Sequence, residues 1–269
     1  VAPADLDALR AALAGHDPSA GPVRVLGDGA NLLVADEGVD GLVIDTRKLD
    51  SIEWKDDGVV ASAGASLQKL VAEACRRGLG GLEGLGGVPA SLGGAVRMNA
   101  GGAFGEIGSV VASVRAVDHE GNETTIAARD LTFAYRSSNL DGLIIVEATL
   151  RLSPDDPEAL RAKLKDVMAH KKDAQPLAAN SAGCVFKNPT VDGRRVSAGR
   201  LIDKAGLKGE RVGGASVSNR HGNFIVVEDG ATASDVLALI SRVRARVFEE
   251  TGTELAQELV VWRRGADDA

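Results

Sequence analysis

Gly78–Gly105 reads GLGGLEGLGGVPASLGGAVRMNAGGAFG, with glycine at eleven of its positions. Glycine brings no side chain to a core and costs backbone entropy on folding. Its gain is close backbone approach and accessible N–H groups, which suit a pyrophosphate or a flat ring system. The plain alternative is a set of tight turns between short strands. The run ends in Met98-Asn99-Ala100-Gly101-Gly102, and a ligand cradle is the stronger reading. G-x-x-x-x-G-K-[ST], G-x-S-x-G and the full G-x-G-x-x-G are absent from the chain, so a cradle here is of another type.

Upstream of the run, Ser66 to Arg77 reads as an amphipathic helix with Leu67, Leu70, Val71 and Ala74 on one face. Ile52–Trp54 and Val59–Ala63 alternate around Asp56-Asp57-Gly58, a hairpin signal. Leu42–Ile44 and Val23–Leu26 read as strands and Ala4–Ala14 as a helix. Gly27-Asp28-Gly29-Ala30-Asn31 joins Val23–Leu26 to Leu32-Leu33-Val34. Taken alone this turn reads as a hairpin, although its amides also suit an anion. Downstream, Val110–Val117 and Glu123–Ile126 flank the turn Glu120-Gly121-Asn122. Asp130–Tyr135 reads as a short helix and Leu143–Leu152 as a long strand. Tyr135-Arg136-Ser137-Ser138 lies between them, where Arg136 is either a surface charge or a carboxylate clamp.

Pro154–Pro157 breaks the pattern, and a helix then runs to about Lys172, with Lys171 and Lys172 at its dipole-favoured end. The domain boundary is expected there, giving domains over 1–172 and 173–269, with the last strand returning to the first. Helices are expected over Ala198–Ala205, ahead of Gly206, and from Thr232 to Glu250, ahead of Gly252. Thr232 and Asp235 form a capping box. A strand over Leu259–Trp262, headed by Glu258, closes the chain.

The chain has 269 residues, 44% hydrophobic and 26% charged, which fits a soluble globular protein with two cores. The net charge of −7 argues against nucleic acid as the main partner. No apolar run is long enough to span a membrane and no signal peptide is visible, so a cytoplasmic protein with no membrane partner is expected. The four histidines are scattered and imply no metal site. Cys75 reads as a packing residue; a lone cysteine such as Cys184 usually does too.

The order of these pieces resembles the MurB family, the UDP-N-acetylenolpyruvoylglucosamine reductases of peptidoglycan synthesis. The matching blocks are Leu26–Val34, Ala63-Gly64-Ala65, Gly80–Glu83, Gly87-Val88-Pro89, Gly93–Gly101 and Tyr135-Arg136-Ser137. In the second half they are Gln175-Pro176, Ser181–Pro189, Ala198–Ile202, Ala205–Gly209, Gly213–Ser218 and Leu255–Glu258. The resemblance covers nearly the whole chain.

It implies an α+β fold, with an FAD-binding domain of the vanillyl-alcohol-oxidase type followed by a smaller α+β substrate-binding domain. FAD is implied as a non-covalent cofactor and NADPH as co-substrate. The implied reaction reduces UDP-N-acetylglucosamine enolpyruvate to UDP-N-acetylmuramate. Arg136, Cys184 and Glu258 take the catalytic positions, Cys184 standing where the best-known members carry the proton-donating serine. Gly27, Asp28, Gly29, Ala30, Asn31, Leu32, Gly86, Gly87, Val88, Pro89, Ser91, Gly93, Gly94, Asn99, Ala100 and Gly101 match the FAD cradle. Tyr135, Lys171, Lys172, Lys187 and Asn188 match substrate-binding positions. Ala90 replaces a usual glycine and is expected to tighten the flavin loop. The N-terminal strand with a T-x-x-V-G-G-x-A element that members carry is not in this stretch. With no tyrosine-bearing insertion, the shorter subtype is expected, as a monomer. Two other readings stay open: an FAD-dependent oxidoreductase on another small molecule, and a non-catalytic nucleotide-sugar binder.

Overall fold

The computed structural model describes residues 1–265. They form two compact units. One comprises Val1–Asp28 and Gly41–His170; the other comprises Gly29–Asp40 and the chain from Lys171 onward.

The first unit is built on a five-stranded antiparallel sheet. Its order is Glu123–Ala127, Val111–Val117, Ile144–Arg151, then β5 (Gly58–Ser62) and β4 (Ile52–Lys55). The tight turn at Asp56-Asp57 pairs Lys55 with Gly58, the expected hairpin. Apolar residues on alternate positions of the sheet meet the helix α2 (Leu67–Arg77) and the short helix α3 (Leu92–Arg97) in one core. Burial of Leu67, Leu70, Val71 and Ala74 follows the helical period of the sequence. Ser66 caps the start of α2, and Gly78 ends it at φ +71°, a left-handed conformation that an L side chain strains. A second core joins the helix α1 (Leu6–Ala14) to Ile44, Val117, Ile144 and Val146.

The glycine turn at 27–31 does not make the expected hairpin. Strand β1 (Val23–Leu26) pairs in parallel with β3 (Leu42–Asp45). Strand β2 (Leu32–Val34) pairs in parallel with Val260–Trp262. Each strand finds a parallel partner elsewhere in the chain, so neither completes a ladder with the other. That pairing groups Gly29–Asp40 with the second unit, whereas the sequence placed this segment in the first domain. The final strand accordingly lies beside β2 within the second unit. The division falls between His170 and Lys171, inside the helix α4 (Pro157–Ala174). Of the second domain expected over 173–269, residues 266–269 lie outside the described residues.

Asp130–Tyr135 is not helical either. A 3-10 turn at Ala128–Asp130 is followed by a two-stranded hairpin, Phe133–Ala134 with Ser137–Ser138. Asn139 decides this locally. Its Oδ1 accepts from Thr132 N at 2.8 Å, its Nδ2 donates to Asp130 O at 2.9 Å, and its own N–H donates to Thr132 O at 3.1 Å. These three bonds close the loop as a ladder where a helix would need i to i+4 bonds.

The second unit packs the helices α5 (Ala198–Lys204) and α6 (Ala233–Thr251) with a three-stranded antiparallel sheet, Arg211–Val212, Ala215–Val217 and Ile225–Val227. Phe186, Ile202, Leu239, Ile240, Val243 and Val247 share its core. Thr232 and Asp235 make the capping box at the start of α6. Asp36 adds to it, accepting from the Ala233 and Ser234 amides at 2.7 and 2.9 Å. Among the described residues, no helix is long and apolar enough to cross a membrane.

Glu83, in the glycine run, is 7% exposed. Burial pushes its pKa up, but Lys163 at 2.5 Å and the Gly81 amide at 2.7 Å outweigh this and hold it below its ordinary 4.5. A lowered carboxylate pKa contributes stability above the unfolded-state value, lost as pH falls through the folded one. Glu83→Gln should therefore lower the thermal midpoint at pH 7, and the gap to wild type should close as pH drops below about 4. Melting curves across that range check this; a gap that stays constant with pH would remove the ion pair as its cause.

Candidate active site

The glycine run begins with packing. A Cβ on Gly84 would sit 2.2 Å from the Phe104 carbonyl oxygen, and one on Gly86 would sit 2.4 Å from Leu164 Cδ1. Gly86 is thus buried against α4, and its place in the expected FAD cradle is a packing position. The same holds for Gly93, whose Cβ would meet Ala63 Cβ at 2.8 Å. The N–H groups at the start of α3 also have partners within the protein. Leu92 N donates to Ala65 O, Gly93 N to Ala63 O, and Gly94 N to Ser91 Oγ. The Ala90 side chain packs on the same core.

Around the start of α3, part of the run faces solvent. Pro89 and Gly94 are exposed and Gly87 and Val88 half-buried. A Cβ on Gly94 would meet nothing closer than Ser91 Oγ at 3.4 Å. At the end of β1, Gly27 approaches Ser91 so closely that a Cβ would lie 2.2 Å from its Oγ. With glycine at 27, 87 and 94, this strip suits a flat dinucleotide, which needs close backbone approach more than side-chain contacts. Asn99, expected in the cradle, is 1% exposed. Its Nδ2 donates to Ala134 O and its Oδ1 accepts from Gly108 N, both at 3.0 Å.

Arg136 sits at the tip of the Phe133–Ser138 hairpin, half-buried, with φ +57°. A non-glycine residue in the left-handed region costs about 1–2 kcal/mol, so the surroundings must hold it there. Its guanidinium lies 5.2 Å from the centre of the Tyr135 ring.

In the second unit, Cys184 to Lys187 runs as a bridge between two other segments. Cys184 pairs with Phe224 on one side and Phe186 with Gln257 on the other. Val185 N donates to Asn223 O at 2.9 Å, Lys187 N to Ala256 O at 2.8 Å, and Glu258 N to Val185 O at 2.8 Å. Asn31 Nδ2 then donates to Glu258 O at 3.0 Å. A Cβ on Gly183 would lie 3.7 Å from Ala30 O. The structure thus gathers Ala30, Asn31, Cys184 and Glu258 on adjoining segments of one unit. Asn188 is tied to the start of α5, its Oδ1 accepting from Ala198 N at 2.9 Å. Lys171 and Lys172 lie in the last turn of α4, where the Lys172 carbonyl accepts from Arg220.

Cys75 behaves differently from Cys184. It is buried, and burial followed by the nearby Glu83 charge pushes its thiol pKa up. It is a packing cysteine, as its sequence setting suggested. Among the described residues, no cluster of histidine, cysteine, aspartate and glutamate could hold a metal ion.

Comparison with known proteins bears on this arrangement. An FAD binding domain model matches residues 1–127, and the C-terminal domain model of UDP-N-acetylenolpyruvoylglucosamine reductase matches residues 175–262. The reductase of Moorella thermoacetica is 43% identical over 91% of this chain and 80% of its own length. That of Heliobacterium modesticaldum is 45% identical over 89% of this chain and 76% of its own. The crystal structure of MurB from Thermus caldophilus superimposes with a TM-score of 0.83 at 42% identity, covering 97% of this chain and 91% of that one. This chain belongs to the UDP-N-acetylenolpyruvoylglucosamine reductase family. Its fold is α+β, with an FAD-binding domain ahead of the MurB C-terminal domain.

Within the MurB family assignment, one supporting residue stands outside the motif blocks. Asn223 is 3% exposed, and its amide bonds both backbone groups of Phe186: Oδ1 from Phe186 N at 2.9 Å, Nδ2 to Phe186 O at 2.8 Å. The sequence signal was a polar side chain opening the apolar run Phe224-Ile225-Val226-Val227. Asn223→Ala leaves two buried groups of Phe186 without a partner, at about 1–3 kcal/mol each. The variant should unfold at clearly lower urea concentration than wild type. An unchanged midpoint would show that water or a backbone shift replaces both bonds.

Proposed function

We propose that this chain reduces the enolpyruvyl ether of UDP-N-acetylglucosamine to UDP-N-acetylmuramate, the reductase step of peptidoglycan synthesis. The family assignment over both domains carries this reading. It makes the protein an FAD-containing oxidoreductase with NADPH as reductant and a small nucleotide sugar as acceptor. FAD bound to this chain would supply the hydride, drawn from NADPH, that the β-carbon of the unsaturated carboxylate receives. Gly87, Val88, Pro89 and Gly94, with Gly27 and Ser91 beside them, are the residues that would hold it, by backbone contact. The cradle offers no nucleophile suited to covalent attachment, and FAD is held non-covalently.

The remaining work falls to this chain's side chains. As hydride adds, negative charge builds on the carboxylate as an enolate, which needs a fixed positive clamp. Arg136 suits this role because guanidinium grips two oxygens in one plane. The α-carbon then takes a proton. Cys184 Sγ is the donor: a thiol of ordinary pKa about 8.5 is protonated at neutral pH and more acidic than a serine hydroxyl. Glu258, whose N–H donates to Val185 O beside Cys184, acts beside the acid. Tyr135, Lys171, Lys172, Lys187 and Asn188 bind the nucleotide sugar, with Lys171 or Lys172 on its diphosphate.

Three variants test the roles. Arg136→Lys keeps the charge and loses the planar grip, and turnover should fall about 100-fold, the usual scale for one oriented donor. Near wild-type turnover would remove the clamp. Cys184→Ser should stay active, whereas Cys184→Ala should fail when the reduced enzyme meets the nucleotide sugar. Flavin reduction by NADPH precedes the proton transfer and should survive in Cys184→Ala. Anaerobic stopped-flow traces of the two half-reactions separate these outcomes; equal loss in both would mean that Cys184 only holds the fold.

A further inference from the structure

We infer that Asn99 is a positioning residue for Arg136, acting through the hairpin that carries it; this rests on the proposed role of Arg136. A hairpin with strands of two residues has little stability of its own. This one also carries a left-handed arginine at its tip. Something outside it must fix its place.

Two side-chain bonds do so, one on each strand. Asn99 Nδ2 donates to Ala134 O at 3.0 Å on the first strand. On the second, Ser138 Oγ donates to Arg97 O at 2.8 Å, and Ser138 is 8% exposed. Both bonds reach the same short segment, Arg97 to Asn99, where α3 ends. That segment is itself braced. Asn99 Oδ1 accepts from Gly108 N at 3.0 Å, in a gap so narrow that a Cβ on Gly108 would lie 2.8 Å from that oxygen. Asn99 has φ +43°, a conformation that asparagine tolerates better than most residues. The asparagine that closes the Met98-Asn99 turn of the glycine run thus ties the arginine hairpin to it. An oriented donor displaced by about 1 Å loses on the order of a hundredfold in rate. The two straps are therefore a means of holding Arg136 within that tolerance.

Asn99→Asp is the sharpest test. It keeps the size, the fit to a left-handed φ and an oxygen for Gly108 N–H. It replaces the donor facing Ala134 O with a second oxygen. Ser138→Ala removes the other strap and serves if Asn99→Asp does not fold. Reduction of the nucleotide sugar should slow by about ten- to a hundredfold. The rate of flavin reduction by NADPH and the bound-flavin spectrum should not change. Amide hydrogen exchange should quicken over residues 133–138 and stay slow in α2. In an Arg136→Ala background, Asn99→Asp should add little further loss.

Wild-type substrate reduction in both strap variants would overturn the inference. So would equal loss in both half-reactions, which would make Asn99 a cradle residue, or an undiminished loss in the Arg136→Ala background. Wild-type turnover in Arg136→Ala itself would overturn the clamp, and the inference with it, and is read separately from any strap variant.

Discussion

Every buried backbone N–H and C=O needs a partner, and in segments too short for a sheet the main chain cannot supply enough of them. This chain is rich in such segments; many of its paired strands are two or three residues long. Asparagine side chains make up the difference. An amide carries a donor and an acceptor at the spacing of a peptide group, so it can complete a ladder where no strand exists. Asn223 does this for Phe186, Asn99 for Ala134 and Gly108, Asn139 for Thr132 and Asp130, and Asn31 for Glu258. The residues proposed for catalysis project from these pinned segments, which behave as rigid elements although they are loops by length. A site on such segments keeps its geometry without a large sheet beneath it.

This explains which parts of the fold were legible in the sequence. Helix α2, the hairpin of β4 and β5, and the capped helix α6 each declare themselves through spacing within a dozen or two residues, and each forms where the period places it. The failures all turned on partners far away or on single side chains. Nothing near Leu32–Val34 announces that its ladder partner is Val260–Trp262, close to the end of the chain. A glycine turn between two apolar runs then reads as a hairpin by default. Asp130–Tyr135 went wrong because the bonds that decide it come from Asn139, just outside the window.

The candidate site was legible as a set of residues, and their roles are proposals. Glycine density marks a stretch of close approach, which leaves the same trace whether the neighbour is a ligand or protein. Composition cannot separate the two cases. The structure does, by showing that a Cβ on Gly84, Gly86 or Gly93 would press into Phe104, Leu164 or Ala63, while one on Gly94 would make only ordinary contact with Ser91 Oγ at 3.4 Å. Asn99 illustrates the same limit. An asparagine in a glycine-rich motif suggests a polar contact to a cofactor, yet both ends of its amide bond the main chain.

The two cysteines show why placement, rather than residue type, separates chemistry from packing. Neither is held in a disulfide. Cys75 lies inside α2 with its thiolate disfavoured by burial and by Glu83, which suits packing and not acid chemistry. Cys184 is half-buried in a segment bridged to Phe224 and, through Phe186, to Gln257 beside Glu258. Donating a proton to carbon requires an acid that is protonated at working pH and aimed at one atom. A thiol meets the first condition by its ordinary pKa and the second only through its frame. A serine hydroxyl, far less acidic, would depend on the same frame still more. On the proposed assignment, the demand on residue 184 is therefore an O–H or S–H held in register by Asn223 and the Gln257-Glu258 segment, and the exchange of one for the other is a conservative change.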